Sequence, residues 1–278
     1  MSQESKRTVI VAGNCQASFL ARALQESPEL SGPYQVVYFR NFRKGDQSVL
    51  PVEQLETCAI LVEQIAHKAE ELPDKDRLPA DCRVVKFPIL WMNSLWPTRA
   101  KDPRNTPTDA CPAGPYPYGD SLVLQLLDQG LTPDQVAERY LETDLSQIVD
   151  IGRFHEINEA KLRMLDKRAD VKLGGHLMDN FVQSRLFVTH NHPTMPMLRF
   201  IADKVFEALG IEPPPSDLVA ASGGMQQIHM PVHPSVARHF GLSWWNADLE
   251  YRYHSERLQT AEFIRRYAAY KPEAAAAA

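Results

Sequence analysis

Two short segments carry the residue types that nucleophilic chemistry needs. In the first, the apolar run Thr8-Val9-Ile10-Val11-Ala12 breaks at Gly13-Asn14-Cys15-Gln16 and is followed at once by Ala17-Ser18-Phe19-Leu20-Ala21-Arg22-Ala23-Leu24. This reads as strand, sharp turn and helix. The free N–H groups and positive dipole end of such a helix favour an anion, so a thiol in its first turn is expected to lose its proton readily, and Cys15 is a candidate nucleophile. Polar Asn14 and Gln16 beside it can offer hydrogen bonds to a reacting oxygen. A cysteine that served only as a small hydrophobe sits more naturally among apolar neighbours.

The second segment is Arg185-Leu186-Phe187-Val188-Thr189 followed by His190-Asn191-His192-Pro193-Thr194 and a helical pattern from Leu198 to Leu209 closed by Gly210. Read as another strand of the same sheet, it brings two imidazoles to the rim that carries Cys15. His192, with His190 as its rival, is then the expected general base, with a pH limb near 6.5. His67 and His155 are the reserve bases. Capping of the following helix is the alternative role for His190-Asn191-His192. Two histidines at i and i+2 fall short of the three or four ligands that zinc requires, so no metal is expected.

Arg40, Arg43 and Lys44, after the second β-rich run, form a basic rim suited to phosphate, with Arg99, Lys101 and Arg104 next in line. Tyr116 and Tyr118 lie in a proline-studded stretch from 94 to 120, which reads either as a crossover or as a wall against which a ligand packs. No GxGxxG or GxxxxGK[ST] pattern follows the first strand, which argues against dinucleotide-binding and P-loop chemistry. The four cysteines are far apart with no CxxC pair, so reduced thiols are expected.

These groups need a scaffold, and the pattern supplies one. Short β-rich runs, Tyr34 to Phe39, Ala59 to Gln64 and Arg83 to Pro88, alternate with helical or turn segments. That spacing predicts an α/β fold with a parallel sheet and covering helices. Ligands in such sheets sit beyond the carboxyl ends of the strands, which makes Gly13 to Gln16, Arg40 to Lys44, Gln64 to His67 and Pro88 to Asn93 one rim.

The 278 residues, 44% hydrophobic, suit a single domain. Its expected parts are an α/β core over about 7–120, a helical insertion or lid over 121–180, and a return to the core over 181–270. The last part ends in an amphipathic helix from about Ser255 to Tyr270, with a frayed tail at 271–278. Thr132 followed by Pro133 is a helix start. His229, His233, His239 and His254 read as packing and surface residues. A net charge of -5 argues against a nucleic-acid partner, and no apolar stretch approaches the roughly 18 residues of a membrane span. A soluble, cytoplasmic protein is expected.

Gly13-Asn14-Cys15-Gln16, Pro115-Tyr116-Pro117-Tyr118-Gly119-Asp120 and Phe187-Val188-Thr189-His190-Asn191-His192-Pro193-Thr194 together resemble the WcbI-type capsular-polysaccharide biosynthesis family over roughly residues 8 to 245. The resemblance implies a coenzyme A dependent O-acetyltransferase, with acetyl-CoA as donor and a heptose or related sugar hydroxyl of a polysaccharide precursor as acceptor. Its phosphates are expected near Arg40, Arg43 or Lys44. The same residues would also serve an SGNH-like or cysteine hydrolase, such as a deacetylase or thioesterase. A non-catalytic sugar- or nucleotide-binding module with an inert Cys15 is the third reading.

Overall fold

The computed structural model describes residues 6–41, 50–67, 72–109, 111–215 and 226–272. Strands β1 (Arg7–Gly13), β2 (Tyr34–Arg40), β3 (Cys58–Ile65) and β4 (Arg83–Pro88) alternate with α1 (Cys15–Gln25) and the short α2 (Pro28–Ser31) and α3 (Val52–Glu56). Two-residue strands β5 (Arg99–Ala100) and β6 (Gly119–Asp120) lead into α4 (Ser121–Asp128), α5 (Pro133–Glu142), α6 (Ile151–Arg168) and α7 (Gly174–Asn180). Then come α8 (Met195–Leu209), α9 (Pro234–Phe240), the hairpin β7 (Glu250–Tyr253) and β8 (Glu256–Gln259), and α10 (Thr260–Ala269). The fold is α/β, as the strand and helix spacing predicts. Among the described residues no helix is long and apolar enough to cross a membrane.

The chain divides into two compact units: the described residues of Met1–Trp91, Glu159–Phe181 and His192–Met225, and those of Met92–Asn158, Val182–Asn191 and Gln226–Ala278. In the first, a parallel sheet runs β2-β1-β3-β4. Its centre is β1, whose Val9, Ile10, Val11 and Ala12 are wholly buried. Burial on both faces is why this strand is a continuous apolar run rather than an alternating one. One core cluster joins Ile10, Ala12, Phe39, Leu55, Leu61 and Leu72.

Helix α8 buries Met197, Leu198, Ile201, Ala202, Val205, Phe206 and Leu209, a stripe at helical period. It stops at Gly210, whose φ of 69° is left-handed and suits glycine. Arg83 Nη1, on the first residue of β4, donates to Leu209 O at 2.8 Å. The C-terminal end of α8 is thereby fixed at the start of β4. Fifteen helical residues span about 22 Å and six strand residues about 20 Å, and α8 packs along β4 and α1. The N-terminal end of α8 therefore lies toward the carboxyl ends of the strands.

The second unit holds the two small antiparallel sheets β5-β6 and β7-β8 and helices α4, α5, α9 and α10. Thr132 and Gln135 form a reciprocal capping box at the start of α5, as the sequence predicts. The segment expected to be one amphipathic helix from Ser255 is instead strand β8 followed by α10. Tyr251 and Leu258, both buried, pair across the hairpin, and that pair holds the residues before Thr260 extended.

Arg185 to Thr189 is a larger departure. It forms no strand of the parallel sheet, whose members are β1 to β4. Leu186, Phe187, Val188 and Thr189 are buried, but Val188 O accepts from Met230 N at 2.8 Å and His190 O from Met92 N at 2.7 Å, both within the second unit. A short apolar run signals burial, and burial alone does not specify a ladder.

Candidate active site

The turn after β1 is held by side-chain amides. Asn14 is the N-cap of α1, its Oδ1 accepting from Gln16 N at 2.9 Å. Gln16 is fully buried, its Nε2 donating to Leu90 O at 2.7 Å and its Oε1 accepting from Leu90 N at 3.1 Å. Gln64, at the end of β3, donates through Nε2 to Gln16 Oε1 at 3.1 Å and accepts from Asn14 N at 2.9 Å. The Tyr38 hydroxyl lies 3.1 Å from Gly13 O and 3.0 Å from Asn14 O. Burial pushes that phenol up to about 12, so it remains a donor.

Asn14 Oδ1 and the Gln16 side-chain amide are thus engaged in shaping the turn. Tyr38 lies outside the sequence-predicted site, and Gln64 enters it only as the first residue of the rim segment Gln64 to His67. The signal was there for Gln64, a polar residue inside the apolar run from Ala59 to Ile65, although a strand end explains such a residue equally well.

Cys15 is the first helical residue of α1, half-buried, with a free thiol. Burial raises its pKa, against the opposing effects of the Gln16 and Cys15 N–H groups and the Arg40 charge. The expected net loss of the thiol proton is therefore corrected. The helix start acts in the anticipated direction, but desolvation is larger. Arg40, exposed at the end of β2, is the one member of the basic rim among the described residues, since Arg43 and Lys44 lie outside them.

Gly13 is required at this turn by close approach. A Cβ there would lie 2.6 Å from Ala17 Cβ and 2.7 Å from Gln64 Cβ, atoms that move only if α1 or β3 moves. Gly13→Ala should cost roughly 1–3 kcal/mol and lower the thermal midpoint by several degrees in a circular-dichroism melt, at about 2–4 °C per kcal/mol for a domain of this size. An unchanged midpoint would show that α1 and β3 are not held at this distance.

His192 belongs to the first unit and immediately precedes α8. The pinning of Leu209 to Arg83 turns this end of α8 toward the strand carboxyl ends, the edge where Cys15 sits. His192 precedes a helix N-terminus and belongs to no strand of the parallel sheet. Burial pushes its imidazole down to about 4, which corrects the near-neutral value expected of a free histidine. His67 is exposed and meets Trp91 edge-on at 6.1 Å.

His190 falls in the second unit, its ring against Tyr118 at 5.6 Å in a T-shaped contact. Tyr116 is buried in a cluster with Tyr253, Phe263, Tyr267 and Tyr270, so its ring is committed to packing. Arg104 pairs with Asp102 at 2.8 Å and donates to Tyr270 O at 3.2 Å near the end of α10, a structural role. Arg99 and Lys101 are exposed.

His155 approaches Ser94 Oγ at 3.2 Å. His233 bridges Ser235 and Tyr140 O at the start of α9, as a packing histidine would. Among the described residues no three His, Cys, Asp or Glu side chains converge as metal ligands.

A family model described as "Polysaccharide biosynthesis enzyme WcbI" matches residues 8–214. One solved structure, described as native WcbI, a polysaccharide biosynthesis enzyme, without a disulfide bond between coenzyme A and one of its cysteines, shares the fold. Its TM-score is 0.67 at 18% identity, covering 95% of this chain and 89% of that one. No curated protein matches the sequence.

Proposed function

Because the chain belongs to the WcbI family of polysaccharide biosynthesis enzymes, we propose that it transfers the acetyl group of acetyl-CoA to a sugar hydroxyl through Cys15 and His192. The acceptor is a heptose or related sugar of a capsular polysaccharide precursor, and the reaction takes place in the cytoplasm. The observation that carries this reading is the position of Cys15. Its thiol stands in the first turn of a helix at the carboxyl rim of a parallel sheet, on a turn that amide side chains hold fixed. Ligands of such sheets bind at that rim, and the description of the structural neighbour speaks of coenzyme A and a cysteine together.

Acetyl-CoA supplies an activated acyl group, and the rim fits a thioester on an anionic handle. Arg40 is exposed beside the thiol, and the first-turn N–H groups of α1 face developing negative charge. Cys15 enters the reaction as a thiol, because burial holds its proton. His192 enters as a neutral imidazole at pH 7, because burial holds its pKa near 4.

His192 takes the Cys15 proton as Sγ bonds the acetyl carbon, and returns it to the departing sulfur of coenzyme A. The sugar oxygen then bonds the same carbon, Sγ leaves, and the hydroxyl proton passes through His192 to Sγ. Two moderate steps replace one hard one. The main-chain N–H of Cys15 and its first-turn neighbours stabilise each tetrahedral oxyanion, by about 3 to 4 kcal/mol per well-placed donor.

Calorimetric titration of the full chain with coenzyme A, paired with an assay for free coenzyme A released from acetyl-CoA, tests this. Saturable binding is the expected result, with at most one equivalent of coenzyme A released per chain without sugar and continued turnover only when sugar is added. Continued multiple-turnover release without sugar would make the protein a thioesterase. Absence of binding would favour the non-catalytic module.

A further inference from the structure

Within the second unit, some buried donors lack acceptors. Arg185 has Nε and Nη2 enclosed with no hydrogen-bond partner, and His229 has both ring nitrogens enclosed beside the main chain of Gln226. Unpartnered buried donors are rare in native proteins, and each calls for an explanation. The guanidinium lies over the Tyr251 ring at 4.9 Å and near the Trp244 ring at 5.9 Å. Aromatic faces of this kind support the cation but do nothing for the N–H groups along its edge.

The surroundings add positive charge. His229 N donates to Arg252 O at 2.8 Å, Ile228 bridges Tyr253, and Met230 N donates to Val188 O at 2.8 Å. The Arg185, His229 and β7 segments therefore run side by side. Arg252 and Arg257 face each other directly across the β7–β8 hairpin, a like-charge placement that is unfavourable by itself.

Glu256, on the same hairpin, is occupied by Arg266 Nη1 at 2.9 Å from each oxygen. Among the described residues no carboxylate forms an ion pair with Arg185, Arg252 or Arg257. The charges of Arg185, Arg252 and Arg257 add to burial in holding the His229 imidazole near 4. The cluster thus combines unbalanced cations with unused donors.

We propose that Arg185 and His229, with Arg252 and Arg257 beside them, form a binding site for a phosphoryl group. The guanidinium edge presents donors in the fork geometry that matches phosphate oxygens, and the imidazole can donate once an anion is next to it. The inference does not rest on the acetyl-transfer reading, because no residue of the Cys15 turn takes part. Phosphoryl groups reach a polysaccharide enzyme from two sources, the phosphates of coenzyme A or those of a sugar phosphate, and the test separates them.

Thermal midpoints and calorimetric titrations of the full chain would be recorded with inorganic phosphate, coenzyme A, pantetheine, glucose 1-phosphate and glucose. The wild type should be stabilised saturably by phosphate and by at least one phosphorylated probe, and by neither pantetheine nor glucose at this site. Arg185→Met should weaken that binding about tenfold or more, and Arg257→Gln, at an exposed position that tolerates change, about threefold or more. Dependence on Arg185 for coenzyme A alone assigns the site to the donor, and for glucose 1-phosphate alone to the acceptor. If Arg185→Met and Arg257→Gln bind every probe as the wild type does, the proposal is overturned. If Arg185→Met only raises the midpoint, Arg185 is a desolvated structural cation and the proposal is equally overturned. Acetyl transfer by the Cys15 site is assayed separately and stands or falls on its own.

Discussion

Cys15→Ala should lower acetyl transfer by about a thousandfold or more, as loss of a nucleophile does elsewhere, while the thermal midpoint stays within about 2 °C of the parent. The second half of that expectation follows from the structure. Cys15 occupies the first helical position, where alanine is a good helix former, and the turn is braced by Asn14, Gln16, Gln64 and Tyr38 rather than by the thiol. Steady-state turnover and a melt on the same sample decide it. A variant that transfers acetyl at the wild-type rate would remove Cys15 from the mechanism.

His192→Gln should reduce turnover by roughly a hundredfold, and its pH profile is the sharper readout. The base must be unprotonated to act. With its pKa held near 4 by burial, activity should persist unchanged from pH 7 to about 5 and fall as pH passes through about 4. The variant should lack that acid limb. A wild-type limb near the ordinary imidazole value of about 6.5 would mean that another histidine is the base, with His190 first in line.

The same burial bears on stability. His192, His229 and His233 are all held down to about 4, whereas in the unfolded chain each takes its proton near 6.5. Between those values the unfolded state binds more protons, so stability should fall as pH is lowered through that window. Urea titrations at pH 7, 6 and 5 would show it as a declining midpoint.

The sequence carried the sheet well because β1 from Val9 to Ala12 and β3 from Cys58 to Val62 read as continuous apolar runs. The turn after β1 was equally legible, since a strand, a glycine and a helix cap lie within four residues of one another. Arg185 to Thr189 misled for the same reason that β1 did not. Its apolar run is real and buried, yet its partners are Met92 and Met230, and pairing at that sequence distance leaves no local mark.

The direction of α8 is set by the Arg83 contact with Leu209 O, which no periodicity encodes. The sign of the thiol shift was also out of reach, because it is a competition between a local helix effect and burial that the whole unit creates. His229 reads from the sequence as a packing or surface residue and Arg185 as the first residue of a strand, because residue types alone do not reveal whether a donor finds an acceptor.

The frame under Cys15 is built almost wholly from groups that carry no exchangeable charge in ordinary buffers. Two glutamine amides, an asparagine amide, the main chain of Leu90 and a phenol that keeps its proton to about 12 hold the turn. Under the proposed mechanism, acidification therefore silences the base without moving the sulfur. A sample inactivated near pH 4 that remains folded should regain full rate as soon as it is neutralised, with no lag, because only a proton has to leave.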